Sequence, residues 1–290
     1  MSRASERFRQ ILARSGTTPA APVFDPLSAR IADMMGWEAC KLSGSVGKWA
    51  NLAVPDGVAL SNASDLVDVC RRIGRVSDLC LIADADEGGG NALNVFRTVR
   101  ELEAAGVAAI EIEDNLVPRR FGEAQTRHAL MVSTAEQVGK LESALAARRD
   151  PTTVITARTS ALAELPLEEA LRRIEAYSKA GVDAIMLPGV PRGRADIEAV
   201  HRVTPLPLCV LGAPADDPSN PDFLAANGVR LRYLGLAIYG MVVKTLFEGL
   251  QHLKDGGSPA DLTARAASPE LIKAVNRSDE FAKWQEKYLR

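Results

Sequence analysis

Short apolar runs alternate with longer segments whose apolar residues recur at helical spacing, from about residue 20 onward. This alternation is typical of repeated strand and helix units, and about eight such units can be counted. Helical segments at 92–105, 135–147 and 167–180 each follow one of the apolar runs. We therefore predict a (β/α)8 TIM barrel. Its candidate strands are residues 22–24, 39–42, 80–83, 109–112, 154–157, 184–187, 208–211 and 229–234.

The length of the chain is compatible with one barrel domain followed by a short extension. Its 290 residues, 47% of them hydrophobic, can bury one large core. A doubly wound open sheet is the structural alternative, because periodicity does not report whether a sheet closes. We predict a catalytic barrel over residues 1–255 and a helical extension over 256–290. The extension would place Phe281, Trp284 and Tyr288 along one helix face, packed on the chain's own barrel or on a neighbouring subunit.

Composition excludes several classes of partner. The formal net charge is −2, and Lys and Arg are spread along the chain, so there is no basic stripe for nucleic acid. No run approaches the roughly 18 apolar residues that a membrane-spanning helix needs. The N-terminus lacks the apolar segment of a targeting peptide, and the four cysteines form no CxxC pair. We therefore expect a cytoplasmic protein whose partner is a small molecule.

Charged residues follow three neighbouring predicted strands. Asp84 and Asp86 follow the third strand, Glu113 follows the fourth, and Arg158 follows the fifth. The active sites of such barrels lie at the carboxyl ends of the strands, where several carboxylates would repel one another without a cation. Oxygen ligands with no His or Cys nearby in sequence favour Mg²⁺ or Mn²⁺ over zinc. Any one Asp could be only a helix cap, but three strand ends together favour a metal site.

Three further features extend this predicted site. Arg158 could be an ion-pair partner for the acids or a two-point clamp for a substrate carboxylate. The Ser43–Gly47 loop follows the second strand, and its small residues would let backbone N–H groups approach an anion. Asp56 lies just beyond this loop and could supply an outer carboxylate to the site.

Six short motifs carry a resemblance to a known family. They are Val23-Phe24-Asp25-Pro26, Ser43-Gly44-Ser45-Val46, Pro55-Asp56, Asp84-Ala85-Asp86 with Gly88 and Gly90-Asn91, Ile112-Glu113-Asp114, and Ala157-Arg158-Thr159. Their order and their placement at strand ends both agree with the predicted barrel. On these motifs the chain resembles the isocitrate lyase/phosphoenolpyruvate mutase superfamily, and within it the oxaloacetate decarboxylase branch.

The resemblance implies a Mg²⁺-dependent carboxy-lyase, with Mn²⁺ as a substitute for Mg²⁺. The implied reaction converts oxaloacetate, or a close 2-oxo diacid, to pyruvate and CO₂ through a metal-stabilised enolate. It further implies a homotetramer built from dimers whose C-terminal helices are exchanged between subunits. The implied metal-site residues are Asp84, which binds directly, and Asp86, Glu113 and Asp56, which hold metal-bound waters. The implied substrate-binding residues are Ser45, Val46 and Arg158, and catalysis is assigned to Asp56, Glu113 and Arg158.

Two departures from the family pattern bear on the substrate. Leu236 stands where the decarboxylases have a His beside the substrate, and Gly89 replaces the Tyr of a Gly-Tyr-Gly motif. We therefore predict that Leu236 contacts substrate, and that the pocket prefers an acid with a methyl or larger group at C3. Phe121, in the loop after the fourth strand, stands where the carbon–carbon lyases have a proton-transferring Cys. Isocitrate cleavage is therefore not expected.

Two alternative functions stay open at this point. The first is a carbon–carbon lyase or a phosphonate or phosphoenolpyruvate-mutase type of enzyme that acts on a more apolar 2-oxo or 2-hydroxy acid. The second is a barrel that has lost catalysis and serves as a metabolite-binding or assembly subunit. The intact Asp84, Asp86, Glu113 and Arg158 argue against this second alternative.

Overall fold

The computed structural model describes residues 3–56, 60–117, 131–211 and 220–289. Eight strands form one closed barrel in sequence order, and each strand is parallel to both of its neighbours. The predicted (β/α)8 barrel is thus confirmed, and the open-sheet alternative is wrong. The strands are β1 Thr18–Val23, β2 Ala39–Leu42, β3 Cys80–Asp84, β4 Ala109–Glu113, β5 Val154–Arg158, β6 Ala184–Leu187, β7 Leu208–Leu211 and β8 Val229–Tyr233.

Only the first strand differs clearly from its prediction. β1 begins at Thr18, whereas residues 22–24 were predicted, and the other seven strands agree to within one residue at each end. Pro19 and Pro22 interrupt the segment, and proline and alanine both have low strand propensity. Pairing with β2 on one side and β8 on the other imposes the extended conformation that the local sequence does not favour.

The chain divides into two compact units, Met1–Gly235 and Leu236–Arg290. The first unit holds the barrel, and the second is helical. The helices of the first are α1 Arg3–Ala13, α2 Pro26–Met34, α3 Gly44–Leu52, α4 Ala63–Gly74, α5 Ala92–Ala104, α6 Thr134–Ala147, α7 Ala161–Glu164, α8 Leu167–Lys179, α9 Arg194–Val203 and α10 Asn220–Ala226. The helices of the second are α11 Ala237–Lys254, the 3₁₀ helix Pro259–Arg265, α12 Pro269–Val275 and α13 Ser278–Tyr288.

The first helix covers the amino ends of the strands. Phe8 and Ile11 of α1 are each 1% exposed and pack among inward-facing strand residues. Arg9 donates hydrogen bonds to the carbonyl oxygens of Thr152 and Thr153, which immediately precede β5. The carboxyl ends of the strands, where the charged residues lie, are therefore at the opposite end of the barrel.

Most large apolar side chains of the second unit are exposed. None of the residues of α11 is buried, and Phe281 and Trp284 of α13 contact each other edge to face at 5.1 Å while staying about half exposed. The domain boundary predicted at residue 255, the packing of the aromatic face and the exchange of helices all stay predictions. Within the described part of the chain, no helix combines the length and apolarity needed to cross a membrane.

Candidate active site

Three charged residues end three consecutive strands of the barrel. Asp84 is the last residue of β3, Glu113 the last of β4 and Arg158 the last of β5. Glu113 and Arg158 are direct partners in the β4–β5 register, so their side chains leave the sheet side by side. The strand-end pattern seen in the sequence therefore corresponds to one cluster at the carboxyl end of the barrel.

Arg158 lies between the carboxylates of Asp84 and Glu113. Its Nη1 donates a short hydrogen bond to Asp84 Oδ2, and its Nε lies 2.9 Å from Glu113 Oε2. The second pair is close but poorly aligned, and neither of its two atoms has a hydrogen-bond partner among the residues that the structure describes. Arg158 is thus an ion-pair partner of the acids. Its predicted contact with a substrate carboxylate stays a prediction.

The loop after β2 approaches the loop after β3 very closely. The backbone of Gly44 donates a hydrogen bond to Asp84, and a Cβ atom at Gly44 would lie 2.3 Å from Asp86 Oδ1. Asp86 itself has a left-handed backbone, with φ of +50°, and its carbonyl oxygen accepts a hydrogen bond from the backbone N–H of Glu113. The missing side chain at Gly44 therefore makes room for the Asp86 carboxylate.

The same loop begins α3 and carries two residues predicted to bind substrate. Ser45 is half-buried and lines the cavity at the carboxyl end of the barrel, and its Oγ lies 3.2 Å from Ser43 Oγ. Val46 is 2% exposed, so its side chain belongs to the packed interior of the barrel unit. Any contact between Val46 and a ligand would therefore involve its backbone.

Lys48 is a site residue that the sequence analysis missed. Its Nζ lies 2.8 Å from Asp86 Oδ2 and 3.0 Å from Asp56 Oδ1, and its side chain is only 11% exposed. Lys48 follows Ser45 by three residues on α3, which puts both on the same side of the helix. That spacing, next to a loop already suspected of binding an anion, was the available signal.

The electrostatics of the cluster show an excess of negative charge. Burial, reinforced by the neighbouring Asp84, raises the pKa of Asp86 to about 7, and burial also raises the pKa of Glu113. Burial opposes ionisation of Asp84, but the charges of Arg158 and Lys41 hold its pKa well below the usual range. Two of the three carboxylates therefore ionise less readily than they would in water, as expected where a cation is needed.

Counting charges gives the size of this excess. When fully ionised, four carboxylates and two cationic side chains leave two negative charges, which one divalent cation would neutralise. Within the described ranges, no three of these acids already form a cluster open to a metal ion, because Lys48 and Arg158 lie between them. The carboxylates are Asp56, Asp84, Asp86 and Glu113, and the cations are Lys48 and Arg158.

A cavity of about 400 Å³ opens over this cluster. Among its lining residues are six of the eight predicted site residues, namely Ser45, Asp56, Asp84, Asp86, Glu113 and Arg158. Leu236, which lies at the start of the second unit just before α11, is half-buried, and its predicted contact with substrate stays a prediction. The segment 118–130, with Phe121, lies outside the described residues.

Comparison with known proteins places this chain in a family. A sequence model of the phosphoenolpyruvate phosphomutase family matches residues 8–254. The chain belongs to this family. An oxaloacetate decarboxylase of Rhodopseudomonas palustris (strain BisA53) is 44% identical over 94% of this chain and 92% of the relative. An oxaloacetate decarboxylase of Paraburkholderia xenovorans (strain LB400) is 38% identical over 98% of this chain and 93% of the relative. The resemblance read from the motifs is thereby confirmed.

Solved structures of the phosphoenolpyruvate mutase/isocitrate lyase superfamily share the fold over essentially the whole chain. A phosphonopyruvate hydrolase in complex with oxalate and Mg²⁺ has a TM-score of 0.83 at 29% identity and covers 100% of both chains. A 2,3-dimethylmalate lyase has a TM-score of 0.84 at 26% identity and covers 99% of this chain and 98% of its own. One scaffold therefore carries several reactions, and the residues around the cavity must select among them.

We predict that Gly44→Ala weakens metal binding far more than it destabilises the fold. The new methyl group would displace only the end of the Asp86 side chain, which costs little stability but moves a carboxylate out of the cluster. Mn²⁺ affinity, measured by calorimetric titration, should fall by about tenfold or more. Gly47→Ala is the matched control, because among the described residues its Cβ would meet only Leu42, at 3.4 Å. Equal affinities for the two variants would contradict this role of Gly44.

Proposed function

We propose that this chain catalyses the metal-dependent decarboxylation of oxaloacetate, or of a close 2-oxo diacid, to pyruvate and CO₂. The observation that carries the proposal is 44% identity to an oxaloacetate decarboxylase over 94% of the chain. The clustering of Asp84, Asp86, Glu113 and Arg158 at one cavity supports it, because these are the residues that the reaction would use. A lyase acting on a more apolar acid is the second candidate, favoured by the apolar Leu236 and by the structural similarity to a 26% identical 2,3-dimethylmalate lyase.

The proposed cofactor is Mg²⁺, with Mn²⁺ as a substitute. Asp84, Asp86 and Glu113 would hold it, with Asp56 at the outer edge. The two surplus negative charges of the fully ionised cluster support a divalent ion. When bound, the cation would supply Lewis acidity at the 2-oxo group of the substrate. Lys48 and Arg158 pair with these carboxylates in the structure, so both side chains would have to share the carboxylate oxygens with the bound cation.

The chain's own residues would orient the substrate for loss of CO₂. Arg158 offers a planar pair of donors for a carboxylate, and the backbone N–H groups of the loop before Ser45 offer a second anion-binding surface. When the C3–C4 bond breaks, its electron pair passes into the enolate of pyruvate, and a proton must then be added at C3. Burial of the cluster strengthens each of these charged contacts relative to water.

The proposal includes a homotetramer built from dimers and a cytoplasmic location. The absence of buried residues on α11 supports packing against a second copy of this chain. Its most exposed apolar residues include Phe247, 67% exposed, and Leu250, 66% exposed. The four cysteines are all free and buried, which fits a reducing compartment.

Activity should depend on both the metal and Asp84. Purified enzyme should release pyruvate from oxaloacetate above the metal-catalysed background when Mg²⁺ is present, and lose this activity with a chelator. Asp84→Ala should reduce turnover to background, because it removes the carboxylate proposed to bind the metal directly. Asp222→Ala is the control, because Asp222 is exposed, and it should keep wild-type turnover. Full activity after chelation would refute the metal proposal. Faster turnover of 2,3-dimethylmalate than of oxaloacetate would favour the second candidate.

Arg158→Lys should weaken substrate binding although the charge is kept. An ammonium group cannot reproduce the planar two-point contact, and the expected loss is about 1.5–3 kcal/mol, the range for hydrogen bonds to charged groups. The measurement is KM and kcat for oxaloacetate, with Arg97→Lys, which alters an exposed ion pair on α5, as the control. Unchanged KM and kcat would show that Arg158 serves only as an ion-pair partner of Asp84 and Glu113.

Phe247→Glu should lower the mass measured in solution by sedimentation. The wild-type chain of 31.1 kDa should sediment as a tetramer, and a charge on the exposed face of α11 should disrupt the contact between copies. Met35→Glu alters an equally exposed apolar residue, 71% exposed, in the barrel unit and should leave the mass unchanged. A monomeric wild-type protein would refute the proposed assembly.

A further inference from the structure

Three polar residues occupy the interior of the barrel below the charged cluster. Lys41 on β2, Glu111 on β4 and Tyr233 on β8 are 7%, 0% and 6% exposed, and we call them the buried triad. The Lys41 ammonium and the Tyr233 hydroxyl each donate a short hydrogen bond to Glu111, one to each carboxylate oxygen. Lys41 Nζ also lies 4.7 Å from the centre of the Tyr233 ring. Three strands that are distant in sequence thus meet at one carboxylate.

Stability alone is a weak explanation for the buried triad. The interior of such barrels is usually filled by branched apolar side chains, and burying an ion pair costs several kcal/mol of desolvation for each ion. Apolar residues of similar volume often replace a buried ion pair with no loss of stability. The position of the triad therefore suggests a task beyond packing.

The triad touches the charged cluster through Asp84. Lys41 Nζ lies 3.6 Å from Asp84 Oδ2, the same oxygen that accepts the hydrogen bond from Arg158. Asp84 and Glu111 are also partners in the β3–β4 register. Among the residues that the structure describes, the ion-pair partners of Lys41 are Glu111 and Asp84. Two carboxylates therefore share one buried ammonium group.

We infer that the buried triad positions Asp84 and sets how much of its negative charge is available to a cation in the cavity. Glu111 holds the Lys41 ammonium and neutralises it. Without that carboxylate, Lys41 would pair fully with Asp84 and repel an incoming cation. The Tyr233 hydroxyl holds the second carboxylate oxygen of Glu111 and so keeps Glu111 in place beside Lys41. Lys41, Glu111 and Tyr233 are positioning residues, and this inference rests on the metal site of the proposed function.

The inference gives a pair of variants with opposite effects on metal affinity. Glu111→Gln keeps the size of the side chain but removes the charge that neutralises Lys41, so the Kd for Mn²⁺ should rise about 10- to 100-fold. Adding Lys41→Met removes the uncompensated ammonium, so the double variant Lys41→Met/Glu111→Gln should recover most of the lost affinity. A triad that only supported the fold would not give this recovery.

The experiment measures Mn²⁺ binding to the full chain by isothermal titration calorimetry, alongside urea unfolding of each variant. Glu103→Gln is the matched control, because this carboxylate on α5 accepts backbone hydrogen bonds from Arg149 and Asp150, away from the cluster. It should bind Mn²⁺ like the wild type. Wild-type affinity in a folded Glu111→Gln variant would overturn the inference, and so would a double variant as weak as the single one.

A third variant, Tyr233→Phe, tests the inference if Glu111→Gln does not fold. Tyr233→Phe keeps both charges and removes only the hydroxyl that holds Glu111, so it should give a smaller rise in Kd, about two- to tenfold. An unchanged Kd in this variant would then overturn the inference. Failure of the wild-type protein itself to bind Mn²⁺ would instead refute the proposed metal site, and the inference with it.

Discussion

The site depends on the repulsion among carboxylates brought together at the carboxyl end of one barrel. Closure of the sheet fixes the ends of β3, β4 and β5, so Asp84 and Glu113 cannot move apart to relieve the repulsion between their carboxylates. Cationic side chains offset part of the repulsion, with Arg158 between two acids and Lys48 bridging to a third. The remaining charge is of the size and sign that a divalent cation would balance.

Sequence reasoning predicted the parts of the molecule that depend on local pattern. Strand ends such as those at Asp84 and Glu113 are visible because apolar runs stop abruptly at charged residues. β1 was placed too late, since Pro19 and its alanine neighbours resemble a loop, and only pairing across the barrel makes them a strand. Local periodicity predicts a helix or strand well when the spacing of its own apolar residues marks the face that will be buried.

The contacts of the buried triad, which sequence reasoning missed, join distant positions. Lys41 and Tyr233 are separated by most of the chain, and only closure of the barrel between β8 and β1 brings both within reach of Glu111. A lone Lys in an apolar strand gives no sign of the carboxylate that will neutralise it. Lys48 differs, because its spacing from Ser45 on one helix was readable. Long-range charge pairing therefore required the structure, whereas helical neighbours did not.

The close approach of Gly44 to Asp86 has a consequence for anyone who transfers loops between barrels of this kind. The carboxylate of Asp86, in the loop after β3, occupies the space that a side chain at Gly44, in the loop after β2, would need. The two loops would therefore have to be transferred together. A chimera that imports one loop without the other would inherit a steric conflict at its reaction centre, even though both parent sequences fold well.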